Sequence, residues 1–160
     1  MSTATIAPAD QTAAKEQWID QMIDLAVDAY YDYATNGVVD DETLAVIGNA
    51  MHNIRVRDTL LWEIVNSGPD LDDVSAVLFA TEGIVHSDYM APILTLSGIC
   101  SVLQGNYQGA LLCAKMALFI DPSYSLAILL HVSLNAGFEE TREFFLTLPL
   151  TRDECRTGKR

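Results

Sequence analysis

Cations are scarce in this sequence. Lys and Arg together number 9 among 160 residues, against 22 Asp and Glu, and between Lys15 and Lys115 only Arg55 and Arg57 occur. A chain of net charge −13 is poorly suited to nucleic acid or anionic lipid, because phosphate contact needs Lys and Arg. Basic partners suit it better. Cysteine is equally sparse. Cys100, Cys113 and Cys155 form no CxxC pair, which argues against a disulfide framework and points to packed, reduced thiols of a cytoplasmic protein. No basic region followed by an apolar run marks a secretory signal. The uncharged run 89–114 is broken by Gly105, Asn106 and Gly109 into segments shorter than the ~20 residues a membrane span needs. No window alternates apolar and polar residues between hairpin turns, so sheet is not expected.

Recognisable chemistry is missing too. There is no HExxH, nucleophile elbow, glycine-rich phosphate loop or DxDxDG calcium loop. His52, His86 and His131 lie far apart and read as structural or exposed. No catalytic, cofactor-binding or metal-ligating residue is nominated, no cofactor is expected, and the chain reads as a non-enzyme.

What is present is helix. A chain of this length predicts one domain, and its periodicity predicts an all-α single-domain bundle of seven or eight antiparallel helices, with helix over roughly 65–80% of residues. The expected limits are a flexible N-terminus over 1–11, a helical domain over 12–148 and a polar flexible tail over 149–160. The organising stretch runs from Pro92 to Gly137 and reads as three consecutive helices: Pro92–Leu103, Tyr107–Ile120, and one opening at Asp121-Pro122 with aspartate as cap. Only Lys115 and Asp121 carry charge there, and helices apolar almost all round belong inside a bundle. Leu94, Gly98, Ala110, Ala114, Ala117 and Pro122 sit at the small and apolar slots of a tetratricopeptide unit, where small residues let two antiparallel helices approach closely. A shift of 34 residues pairs Leu60, Ala76 and Ala80 with Leu94, Ala110 and Ala114, and the next shift fails at Arg142. Tetratricopeptide-like hairpin packing over residues 92–122 is the expectation, without a solenoid.

The charge is placed unevenly: residues 1–88 carry all of the −13, while 89–160 hold six charges of each sign. On the first helix, Trp18, Ile19, Met22, Ile23, Leu25, Ala26, Ala29, Tyr30 and Tyr33 share one arc of about 160°. Glu16, Asp20, Asp24, Asp28 and Asp32 recur every four residues on the other. Like charges at that spacing cost about 0.2–0.5 kcal/mol per pair. The plain reading of this ladder is a solvated face. The sharper reading is a partner-binding acidic face, even a mimic of DNA phosphates, although rungs ~6 Å apart are sparser than the duplex's one charge per ~1.7 Å. Tyr30, Tyr31 and Tyr33 are read as core or rim of the same helix. On the third helix Arg57 centres the apolar arc of Leu60, Leu61 and Ile64, whereas Arg55 points away. Arg57 is therefore expected to be buried and structural, held in a fork by a carboxylate or a helix-end carbonyl.

The elements IRVRDTLL (54–61), APILTLSGICSVLQGNYQGALLCAKMAL (91–118) and DPSYSLAILLHVSLNAG (121–137) resemble the C-terminal helical half of domain-of-unknown-function family 4192, an actinobacterial and actinophage group. The resemblance covers roughly residues 40–146. The family's additional N-terminal half has no counterpart here, and FEETREFF (138–145) stands where prolines and a tryptophan are usual. The resemblance implies a helical fold and a phage or plasmid origin, and carries no function. The reading that results is a small acidic interaction module that occludes or recruits a protein partner with a basic surface, with a homodimer as a further option. The alternative is an acidic DNA-mimic inhibitor of a DNA-binding protein or nuclease.

Overall fold

The structure, a computed structural model, describes the backbone of residues 8–159 and the side chains of 11–159. Helix accounts for 81% of the described residues, and no strand occurs among them. The helices are α1 (Pro8–Asn36), α2 (Asp41–Ala50), α3 (Ile54–Asn66), α4 (Leu71–Ile84), α5 (Met90–Leu103), α6 (Tyr107–Ile120), α7 (Ser125–Ala136), α8 (Phe138–Leu146) and α9 (Arg152–Thr157), with a 3₁₀ turn at Ser87–Tyr89.

Local chemistry sets these bounds. Gly37 closes α1 with a φ of +70°, a conformation that costs a Cβ-bearing residue. Asp40, Asn53 and Asp70 cap α2, α3 and α4 by accepting from the backbone N–H of Thr43, Arg55 and Asp72. Asp121 behaves differently from expectation. Its Oδ1 accepts from the Ser123 amide and hydroxyl, which closes a turn, and α7 begins only at Ser125. The first helix starts at Pro8, four residues earlier than its periodicity suggests. Of the flexible N-terminus expected over 1–11, residues 1–7 lie outside the described residues.

The core is built on α5, which packs against α3, α4, α6, α7 and α8. Eleven of its fourteen residues are buried, among them Ile93, Leu96 and Ile99. Each such side chain withdrawn from water stabilises the fold by about 1.5–3 kcal/mol. Gly98 marks the closest approach: a Cβ there would lie 2.9 Å from Leu130 Cδ2 and 3.2 Å from Cys113 Cβ. With Ala110, Ala114 and Ala117 as the buried face of α6, small residues on both sides seat α5 against α6.

The expectation that all of 92–137 is interior holds for α5 alone. The buried side of α6 consists of those three alanines, and α7 buries Ala127, Leu130 and Leu134. Tyr107, Leu111 and Leu126 are half-buried against the core, whereas Leu112, Met116 and Phe119 of α6 and Ile128, Leu129 and Val132 of α7 face outward, because each helix has only one side covered. The C-terminal tail also departs from the expected loose segment. Thr151 and Glu154 form a reciprocal capping box that starts α9, which packs on α3 with Cys155 buried.

Candidate functional site

Some of the most exposed apolar residues lie on α4 and α6. On α6, Leu112, Met116 and Phe119 follow an i, i+4, i+7 spacing and so form one stripe. Leu112 is 59% exposed and Phe119 89%; on α4, Phe79 is 76% exposed. Phe79, Leu112 and Met116 border a groove of about 430 Å³ whose floor includes Leu94, Ser97 and Cys113. Apolar side chains this large seldom stand together on a free surface without a partner to cover them.

The groove's polar groups are quiet. Burial raises the Glu82 carboxyl above its ordinary value, with a hydrogen bond from Ser97 Oγ (2.8 Å) acting the other way. Burial, then the nearby Glu82, pushes the Cys113 thiol up to about 11, so at neutral pH it is a thiol and a poor nucleophile. Gln104 donates to Asp72 Oδ1 at 2.8 Å and ties the end of α5 to the start of α4. Such a surface offers apolar area and few directed polar contacts. Among the described residues no group of three or more His, Cys, Asp or Glu converges as a metal site.

The acidic ladder splits in two. Glu16 accepts a two-point bond from Arg55, Nη1 to Oε1 at 2.8 Å and Nη2 to Oε2 at 2.6 Å. Asp20 accepts from Nε and Nη2 of Arg156 on α9. Those guanidinium hydrogen bonds hold both carboxyls below their ordinary values. Asp24, Asp28 and Asp32 are exposed and carry no ion pair among the described residues. Of the tyrosines, Tyr30 lies in the core, Tyr33 is half-buried and Tyr31 is exposed.

Arg57 is buried at 7% exposure. Its Nε and Nη2 both donate to Asp58 Oδ1 (2.9 and 2.6 Å), and Nη1 donates to the Tyr124 hydroxyl (2.8 Å). The acceptor carboxylate is thus the next residue along, and one oxygen takes both bonds. The fork onto two carboxylate oxygens forms at Arg55, which is far from free: its Nε also donates to the Arg156 carbonyl. Arg152 pairs with Glu63 on α3, and Trp62 Nε1 donates to the Leu150 carbonyl at 3.0 Å. Residues 147–158 therefore form a strap held across α1 and α3 by arginines. Wheel geometry could place Arg57 inward, but nothing local in the sequence links residues 16 and 20 to 55 and 156.

The chain belongs to the family described as Domain of unknown function (DUF4192), whose family model matches residues 1–141. The match starts well ahead of residue 40, so α1 and its acidic face lie inside the matched region, and α9 lies beyond it. No curated protein and no solved structure matches the chain. No helix among the described residues is long and apolar enough to cross a membrane.

Proposed function

We propose that this chain is a non-catalytic protein-interaction module that docks an amphipathic helix of a basic partner in the α4/α6 groove, and acts by occluding or recruiting that partner. The observation that carries the reading is the exposed stripe Leu112–Met116–Phe119, of which Leu112 and Met116 line the groove together with Phe79. Covering one Phe- or Leu-sized side chain contributes about 1.5–3 kcal/mol, and an apolar groove of this kind is what receives the i, i+3/i+4, i+7 anchors of an amphipathic helix. The net charge of −13 selects the partner's sign: basic flanks speed encounter, while a second copy of this chain would bring like charge to like. The close α5/α6 hairpin, read as tetratricopeptide-like, suits the same use, as does a cytoplasmic setting. A phage- or plasmid-encoded inhibitor would act in this way. The DNA-mimic alternative has less support, because Glu16 and Asp20 are spent on Arg55 and Arg156 and three rungs remain.

Amphipathic helical peptides of one apolar face, with basic, neutral or acidic flanks, separate these readings by fluorescence anisotropy. The basic peptide should bind tightest, lose at least tenfold in Phe119→Asp or Phe79→Asp, and keep its affinity in the triple variant D24N/D28N/D32N. Binding that survives both Phe substitutions and vanishes in the triple variant would move the site to the acidic face.

A further inference from the structure

A second cavity, of about 280 Å³, opens between α3, α7, α8 and the strap and shares no lining residue with the groove. Leu61, Trp62, Leu126, Leu129 and Phe144 supply an apolar wall, and Arg57 and Asp58 supply its polar end. The size is at the low end for small-molecule sites and takes on the order of ten non-hydrogen atoms, too few for a helix.

Arg57 sets the chemistry of the occupant. A guanidinium has five N–H donors. Three are used, by Asp58 Oδ1 twice and by the Tyr124 hydroxyl, which leaves one N–H on each of Nη1 and Nη2 without an acceptor among the described residues. A donor without an acceptor favours an occupant that brings one. A carboxylate would set its charge against the Asp58 carboxylate beside it, within a protein that already carries −13. A neutral oxygen acceptor avoids that repulsion. An amine would meet donors with more donors.

We infer that this cavity binds a small neutral carbonyl compound with an apolar body, such as a medium-chain ester or lactone, whose oxygen accepts from Arg57. The site is separate from the groove and does not depend on the docking of a protein there.

Methyl octanoate is the probe, with octanoate and octylamine as matched charged controls. Trp62 is fixed in the wall by its bond to Leu150, so in a Trp18→Phe background it reports occupancy by fluorescence. The ester should bind saturably at one site per chain, at least tenfold more tightly than either control. Leu129→Trp, at a partly exposed position, fills the cavity and should abolish the signal with the thermal midpoint kept. R57M/D58L replaces the ion pair by apolar residues, a change that is often neutral for folding, and should weaken the ester about tenfold. If that variant does not fold, Leu129→Trp decides alone. Unchanged ester binding in Leu129→Trp, no saturable ester binding, or octanoate binding as tightly as the ester would each overturn the assignment.

Discussion

Arg55 and Glu16, 39 positions apart, meet fork to fork and lock α3 onto α1. The neighbouring arginine makes the more buried but less regular contact, with a single oxygen of Asp58 and with Tyr124. The two should weigh differently. The Arg55–Glu16 pair is partly open to solvent, at 15% and 38% side-chain exposure, so screening limits its worth and Arg55→Ala should cost about 1 kcal/mol. Arg57→Ala removes three buried hydrogen bonds and the stem that packs among apolar residues, and should cost about 3 kcal/mol. Urea denaturation of the two variants checks the order; equal losses would mean that burial at Arg57 counts for nothing.

The strap should respond to acid before the core does. Glu16 and Asp20 are held below their ordinary values by hydrogen bonds from Arg55 and Arg156. A carboxyl depressed in the folded state lends stability that is whole above its unfolded value and is lost as pH falls through the folded one. The ion pairs are therefore intact at neutral pH and are lost as pH falls through those lowered values, beneath the ordinary carboxylate range. Protection factors from amide hydrogen exchange should fall at least tenfold for residues 152–157 between pH 6 and pH 3, while α5 amides keep theirs. At neutral pH Asp20→Asn should reproduce part of the effect and speed labelling of the buried Cys155. Simultaneous loss in α5 and α9 would show that the strap is part of one cooperative unit with the core.

Caps and glycines carry most helix limits in the sequence itself. Gly37, Asp40, Asn53 and Asp70 act within a few residues of themselves, so the sequence carries their effect directly. The apolar character of α6 and α7 misled, because apolar content does not distinguish a helix surrounded by its own fold from one whose outer face awaits a partner. That ambiguity hid the candidate site: Phe79, Leu112 and Phe119 count as core by composition and as surface by position. The role of α9 was hidden for a different reason. Its polar residues look like a frayed tail until Arg152, Arg156 and Arg55 are brought to Glu63, Asp20 and Glu16 by the packing of distant helices. Ion pairs across such separations depend on tertiary arrangement and leave no periodic trace.

Tyr30 carries a cost that substitution should remove. It shares the apolar arc of α1 with Ile19, Ile23 and Ala26, and its ring is buried at 1% exposure. Burial, reinforced by the Cys100 side chain, raises the phenol's pKa, so it stays protonated at any ordinary pH. Yet its hydroxyl has no hydrogen-bond partner among the described residues. A hydroxyl moved from water into an apolar setting without a partner costs about 1–3 kcal/mol in proteins. The ring itself contributes the larger, opposite term through the area it buries. Tyr30→Phe keeps the ring and discards the orphan oxygen, and should raise stability by about 1 kcal/mol with no change in the denaturant m-value. Tyr30→Ala should lower it by about 3–5 kcal/mol through the lost packing. A Tyr30→Phe protein less stable than its parent would mean that the hydroxyl is satisfied by a trapped water, and that this water belongs to the core of the fold.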